Sequence, residues 1–146
     1  MGAGTALLGM ATFAPSLIAI EPAGILRSEG GLLEANIDAG ESWVRLGGNL
    51  AHLFTYNGQA PGPLLEVRAG DTVRLHFTNR LTESTNLHFH GLHVPSTGNA
   101  DNVFLEVPAG ESLTYEFALP ANHPSGTFWY HPHLHGSSAR ANFSEV

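Results

Sequence analysis

The 146-residue chain predicts an all-β domain, a sandwich or a barrel, on three observations. Apolar and polar residues alternate with a period of two in several short runs, the pattern of strands with one buried face. Seventeen Gly and nine Pro break those runs at turn-like intervals. No stretch between residues 30 and 136 repeats apolar residues at helical spacing. Short strands separated in this way read as a sandwich or barrel. The length suits one domain with a core of its own.

Taken in order, Leu33, Ala35 and Ile37 alternate with Glu34, Asn36 and Asp38, giving a half-buried strand. Ala39-Gly40 is expected to turn it toward Trp43 to Leu46, and Gly47-Gly48 to turn the chain again before Leu50 to Tyr56. Asn57 to Pro63 is a loop by composition. Two strands joined at Ala69-Gly70-Asp71 follow, with Leu65 and Val67 facing one way and Val73, Leu75 and Phe77 continuing the apolar face. Asn79 to Thr85 is polar and turn-like, and Pro95 to Asn102 is a loop. After Ala109-Gly110, Leu113, Tyr115, Phe117 and Leu119 alternate against Thr114, Glu116 and Ala118. Pro120 to Gly126 is a further loop.

The two ends depart from this pattern. Residues 1–20 are apolar, rich in small residues and uncharged, like the hydrophobic part of an export signal without its basic leading segment. Residues 1–28 are therefore placed outside the fold, and the protein is expected to be exported to the periplasm or the extracellular space, with no membrane segment in its mature form. Ser137 to Val146 is polar and offers no closing apolar strand, so the sheet is expected to lack its final strand and the chain to be incomplete at this end. A formal charge of −7 argues against nucleic acid and anionic membranes as partners. With no cysteine, the chain has no disulfide, no thiolate zinc or iron–sulfur site and no blue-copper site, which needs a cysteine sulfur.

The chemistry is concentrated in two clusters, His88-Phe89-His90-Gly91 and Trp129-Tyr130-His131-Pro132-His133-Leu134-His135-Gly136. In a strand, residues i and i+2 share a face and lie roughly 6.6 Å apart. His88 and His90 thus share one face, and His131, His133 and His135 share another with Trp129. Two such strands side by side would bring four imidazoles to one wall. Burying four unpaired rings costs stability, whereas a metal would satisfy them, and imidazole nitrogen suits copper and zinc. His52, His76 and His123 stand alone and are assigned no role.

The motifs HFHG at 88–91 and WYHPHLHG at 129–136 resemble the first two of the four copper-binding motifs of multicopper oxidases, the family of laccases, bilirubin oxidase-like enzymes and cuprous oxidases. The flanks agree: NGQAPGPLLEVRAGDTVRLHFTNRL at 57–81 resembles the family's lead-in strands, and DNVFLEVPAGESLTYEF at 101–117 the segment joining its motifs. The resemblance covers residues 30 to 138.

It implies that residues 29–146 form a cupredoxin-like Greek-key β-sandwich, the first cupredoxin domain of a multicopper oxidase. By motif position, His88 would ligate a type 2 copper, His90 and His131 would share one type 3 copper, and His133 would bind the other. Asp101 would sit where the family often keeps an acid for proton delivery. His93 and His135 would be outer hydrogen-bond partners or solvent-facing, and Phe89, Trp129 and Tyr130 packing residues. The implied partners are O₂, a reducing substrate and the enzyme's remaining cupredoxin domains. The family's other two motifs and its type 1 site are absent from the sequence, so the isolated chain is expected to be inactive as an oxidase. The alternative is a stand-alone, histidine-ligated copper-binding or chaperone cupredoxin. An oxidase completing its cluster between subunits would still need a cysteine from another chain. Zinc hydrolysis is weaker, because no carboxylate lies within the motifs.

Overall fold

The computed structural model describes residues 24–134. Within them eight strands form: β1 (Ile25–Arg27), β2 (Leu32–Leu46), β3 (Asn49–Tyr56), β4 (Leu64–Glu66), β5 (Thr72–Asn79), β6 (His88–His90), β7 (Ser112–Ala118) and β8 (Trp129–His131). There is no helix among the described residues, as the periodicity predicts.

One layer is a four-stranded sheet in the order β3-β2-β5-β7. The opposing elements are two short pairs, β1 with β4 in parallel and β6 with β8 antiparallel. The alternation along β5 places Val73, Leu75 and Phe77 inward, and Tyr115 and Phe117 on β7 extend that face. Leu87 and Phe89 come from the other side, and Phe89 meets Phe117 and Tyr115 edge-on at centroid distances of 4.8 and 6.0 Å. Edge-to-face contact directs the positive ring edge at the negative face of its neighbour. The core therefore lies directly behind the strand that carries the first histidine pair.

Two expectations are corrected. Ala39-Gly40 is not a turn: β2 runs unbroken for 15 residues. The strand changes partners there, pairing in parallel with β5 over Leu32–Ala39 and antiparallel with β3 over Ala39–Leu46. A Cβ at Gly40 would stand 3.7 Å from the Arg80 Cβ, an ordinary van der Waals contact. The true turn is Gly47-Gly48, at φ of 54° and 89°, a backbone region where side chains are strained. The second correction is at the N-terminal side, where Ile25–Arg27 belong to a sheet rather than to a leader. Ser28 donates its backbone N–H to the Glu66 carbonyl, so the pairing continues past the strand end. Residues 1–23 and 135–146, which include the leader, His135 and the polar tail, lie outside the described residues.

Candidate metal centre

β6 and β8 pair so that His88 faces His131, Phe89 faces Tyr130 and His90 faces Trp129. This register places the two His-x-His arms side by side. The His88 ring lies 5.8 Å from His90, 5.2 Å from His131 and 5.1 Å from His133, centroid to centroid. His131 is 6.0 Å from both His90 and His133. The four imidazoles expected to share a wall do share one. His93 lies apart from it and is exposed. Its ring contact is with His123 at 5.1 Å, and its backbone N–H donates to His123 Nε2, so both were placed by loop geometry rather than by the strands.

Each ring is held differently. Asp101, 8% exposed, accepts from His88 Nδ1 at 2.8 Å and from the Phe89 N–H at 2.9 Å, both at Oδ1. That bond places the proton on Nδ1 and leaves the His88 Nε2 lone pair to the wall. His131 donates from Nδ1 to the Pro132 carbonyl at 2.9 Å, while its buried Nε2 has no hydrogen-bond partner among the described residues. Trp129 stacks on His131 at 3.9 Å with only 20° between the planes, fixing the ring's tilt. Burial, aided by the neighbouring imidazoles, pulls the His131 pKa below the ordinary histidine value, which keeps the ring neutral near pH 7.

The outer edge of β6 is satisfied by side chains. Leu87 N–H, just before the strand, donates to the Tyr115 Oη at 2.9 Å, and Phe89 N–H within it donates to Asp101. Burial pushes the Tyr115 phenol up to about 12, the nearby Asp101 charge adding to it. Beyond the strand, Asn86 is fully buried and accepts from the His133 N–H at 2.7 Å. Neither Asn86 nor Tyr115 is singled out by the sequence reading. Asn86 had a usable signal, because a polar residue two before His88 shares the face of the ligand pair.

The donor set fits a nitrogen-ligated metal such as copper. A buried imidazole nitrogen without a partner is costly, and a metal ion satisfies it. Among the described residues no three histidine or carboxylate side chains converge on one ion position. The division expected from the motifs asks no more than two ligands of this chain for any ion.

Comparison with known proteins places this wall in context. A family profile described as multicopper oxidase matches residues 39–144, most of the chain. Laccase-1 of Cryptococcus neoformans var. grubii is 38% identical over 91 residues, covering 60% of this chain and 14% of the relative. Copper resistance protein A of Escherichia coli is 36% identical over 102 residues, covering 67% of this chain and 16% of the relative. A multicopper oxidase structure from Campylobacter jejuni, described as a metallo-oxidase, superposes with a TM-score of 0.70 at 30% identity, over 92% of this chain and 32% of that one. A laccase structure from Pediococcus acidilactici gives a TM-score of 0.73 at 25% identity, over 84% of this chain and 27% of that one. The chain thus spans about a sixth of the length of these curated relatives. Its fold is the cupredoxin sandwich of these oxidases, and the chain belongs to the multicopper oxidase family of copper oxidoreductases.

Proposed function

We propose that the histidine wall is one half of the trinuclear copper cluster of a multicopper oxidase, with this chain as its first cupredoxin domain. The observation that carries this reading is the pairing of His88 with His131 across β6 and β8, which sets four imidazoles within 5.1–6.0 Å of their neighbours. His88 is assigned to the type 2 copper, His90 and His131 to one type 3 copper, and His133 to the other. The chemistry that copper supplies when bound is electron transfer from a reducing substrate to O₂, giving water.

The residues of the chain orient and shield. Asp101 holds the Nδ1 proton of His88, which fixes the tautomer and the ring plane and leaves Nε2 for a metal. Its carboxylate is bonded directly to a histidine of the wall, and we assign it the relay of protons to that side of the cluster. Pro132 O and Trp129 set the tautomer and the tilt of His131. The sequence has no cysteine, so electrons enter at a type 1 site on another part of the enzyme. The reducing substrate is selected there. The remaining ligands come from the further cupredoxin domains. The export-signal-like character of residues 1–20 supports a periplasmic or extracellular location; among the described residues no helix is long and apolar enough to cross a membrane.

The test is copper titration of the 146-residue chain, followed by electron paramagnetic resonance and by O₂ consumption with a phenolic reductant. Nitrogen-ligated copper lost in the His88→Ala and His131→Ala variants, without blue absorption and without sustained O₂ uptake, is expected. Copper that binds equally well after both substitutions overturns the ligand assignment. O₂ uptake by the chain alone overturns the half-cluster. Tight stoichiometric copper handed to an acceptor protein supports the chaperone reading instead.

A further inference from the structure

We infer that Asn86 is the positioning residue that brings His133 into the wall, and so sets the spacing between the two His-x-His arms. The inference rests on the copper reading for its functional consequence but not for its structural content.

The register explains why such a residue is needed. β8 ends at His131, which faces His88. Continuing the same antiparallel register by two residues puts position 133 opposite position 86. The paired ladder stops at His88 and His131. His133 is therefore the one proposed ligand among the described residues that lies outside a strand. Its N–H instead reaches the Asn86 Oδ1 at 2.7 Å.

Asn86 is itself fixed on its other side. Its Nδ2 donates to the carbonyls of Val103 at 3.1 Å and Leu105 at 2.9 Å. The side chain is fully buried, with both amide hydrogens and the carbonyl oxygen engaged. A buried amide in this state has one orientation, since a flip would set its NH₂ against the His133 N–H and its oxygen against two carbonyls. The Val103 and Leu105 carbonyls belong to the loop that begins at Asp101, which holds His88. One loop thereby braces both arms, through Asp101 at His88 and through Asn86 at His133. The His88 and His133 rings end 5.1 Å apart, the shortest of the separations among the four histidines.

The experiment compares the full chain, Asn86→Ala, Asn86→Asp and Ile37→Val, the last a core variant that perturbs stability without touching the wall. Two metal-free readouts come first: hydrogen exchange of the His133 amide, and the nuclear Overhauser contacts between the His88 and His133 rings. In Asn86→Ala the His133 amide is expected to exchange at least ~10-fold faster relative to the core variant, and the ring contacts to vanish. Asn86→Asp keeps the acceptor for His133 and loses the donors, so it is expected to protect the His133 amide better than the alanine. Copper titration then reads the consequence, a ~10–100-fold weaker affinity, the range typical of outer-shell substitutions, with the His133 nitrogen lost from the spectrum. Unchanged exchange and ring contacts in Asn86→Ala overturn the inference. Altered exchange with no copper bound by any form, the parent included, overturns the copper reading alone and leaves the positioning role supported.

Discussion

Replacing Asp101 by alanine tests how the wall is supported. The substitution deletes one carboxylate oxygen that accepts two hydrogen bonds, from His88 Nδ1 and from the Phe89 N–H. A hydrogen bond to a charged group contributes about 1.5–3 kcal/mol, and a buried donor left without a partner costs about 1–3 kcal/mol. Phe89 is 3% exposed, so its amide has no water to turn to. The His88 side chain is 19% exposed and recovers part of its loss from solvent. The lower end of the range is therefore appropriate, about 3 kcal/mol in all, or roughly 12 °C in Tm for a domain of this size. Asp101→Asn keeps an oxygen acceptor in place and removes only the charge, for a loss of about 1 kcal/mol. Urea unfolding followed by circular dichroism, on the metal-free chain, separates these values. An alanine variant within about 1 kcal/mol of the parent, or an asparagine variant as damaged as the alanine, would refute this account of the support. The same pair of variants, titrated with copper, should lose ~10–100-fold in affinity for alanine and less for asparagine.

Two further outcomes follow from the core behind the wall. The Tyr115 phenol is raised from 10 to about 12 by burial. The folded state thus holds a proton that the unfolded state releases first, so this stability is complete below pH 10 and is lost as pH rises toward 12. The loss amounts to about 2.7 kcal/mol at ~1.36 kcal/mol per unit. Tyr115→Phe should flatten that alkaline limb, while lowering stability near pH 8 by about 1–3 kcal/mol because the Leu87 N–H loses its acceptor. Equal alkaline slopes for the two proteins in urea midpoints between pH 8 and 11.5 count against it. A Cβ on Gly62 would stand 2.8 Å from Tyr130 Oη and 3.0 Å from Tyr56 Cβ. Gly62→Ala is expected to break the Tyr130 hydrogen bond to the Pro63 carbonyl and cost about 1–3 kcal/mol, and a thermal scan showing no loss contradicts the tight contact.

The sequence by itself determined the all-β class, the inward faces of β5 and β7, and the identity of the four clustered imidazoles. Period-two alternation is a local property of the chain, so reading it requires no knowledge of the partner strand. It also exposed the chemistry, since no other strand signal places histidines two apart twice. Three features were decided only by tertiary structure. The passage of β2 through Gly40 depends on a change of partner from β5 to β3, which a turn-like Ala-Gly pair conceals. The meeting of His88 with His131 depends on an antiparallel register between segments about forty residues apart, whose separation no alternation encodes. The supports are legible only in part: the resemblance puts Asp101 near the cluster and the spacing puts Asn86 on the face of the ligand pair, but the bonds they make are not written locally. Asp101, Tyr115 and Asn86 each act by offering one atom to a backbone or ring nitrogen at 2.7–2.9 Å. A hydrogen bond of that kind is a fact about two atoms brought together by folding. The ligands repeat in sequence because a strand must present them, whereas their supports need only arrive at the right place from wherever the chain happens to pass.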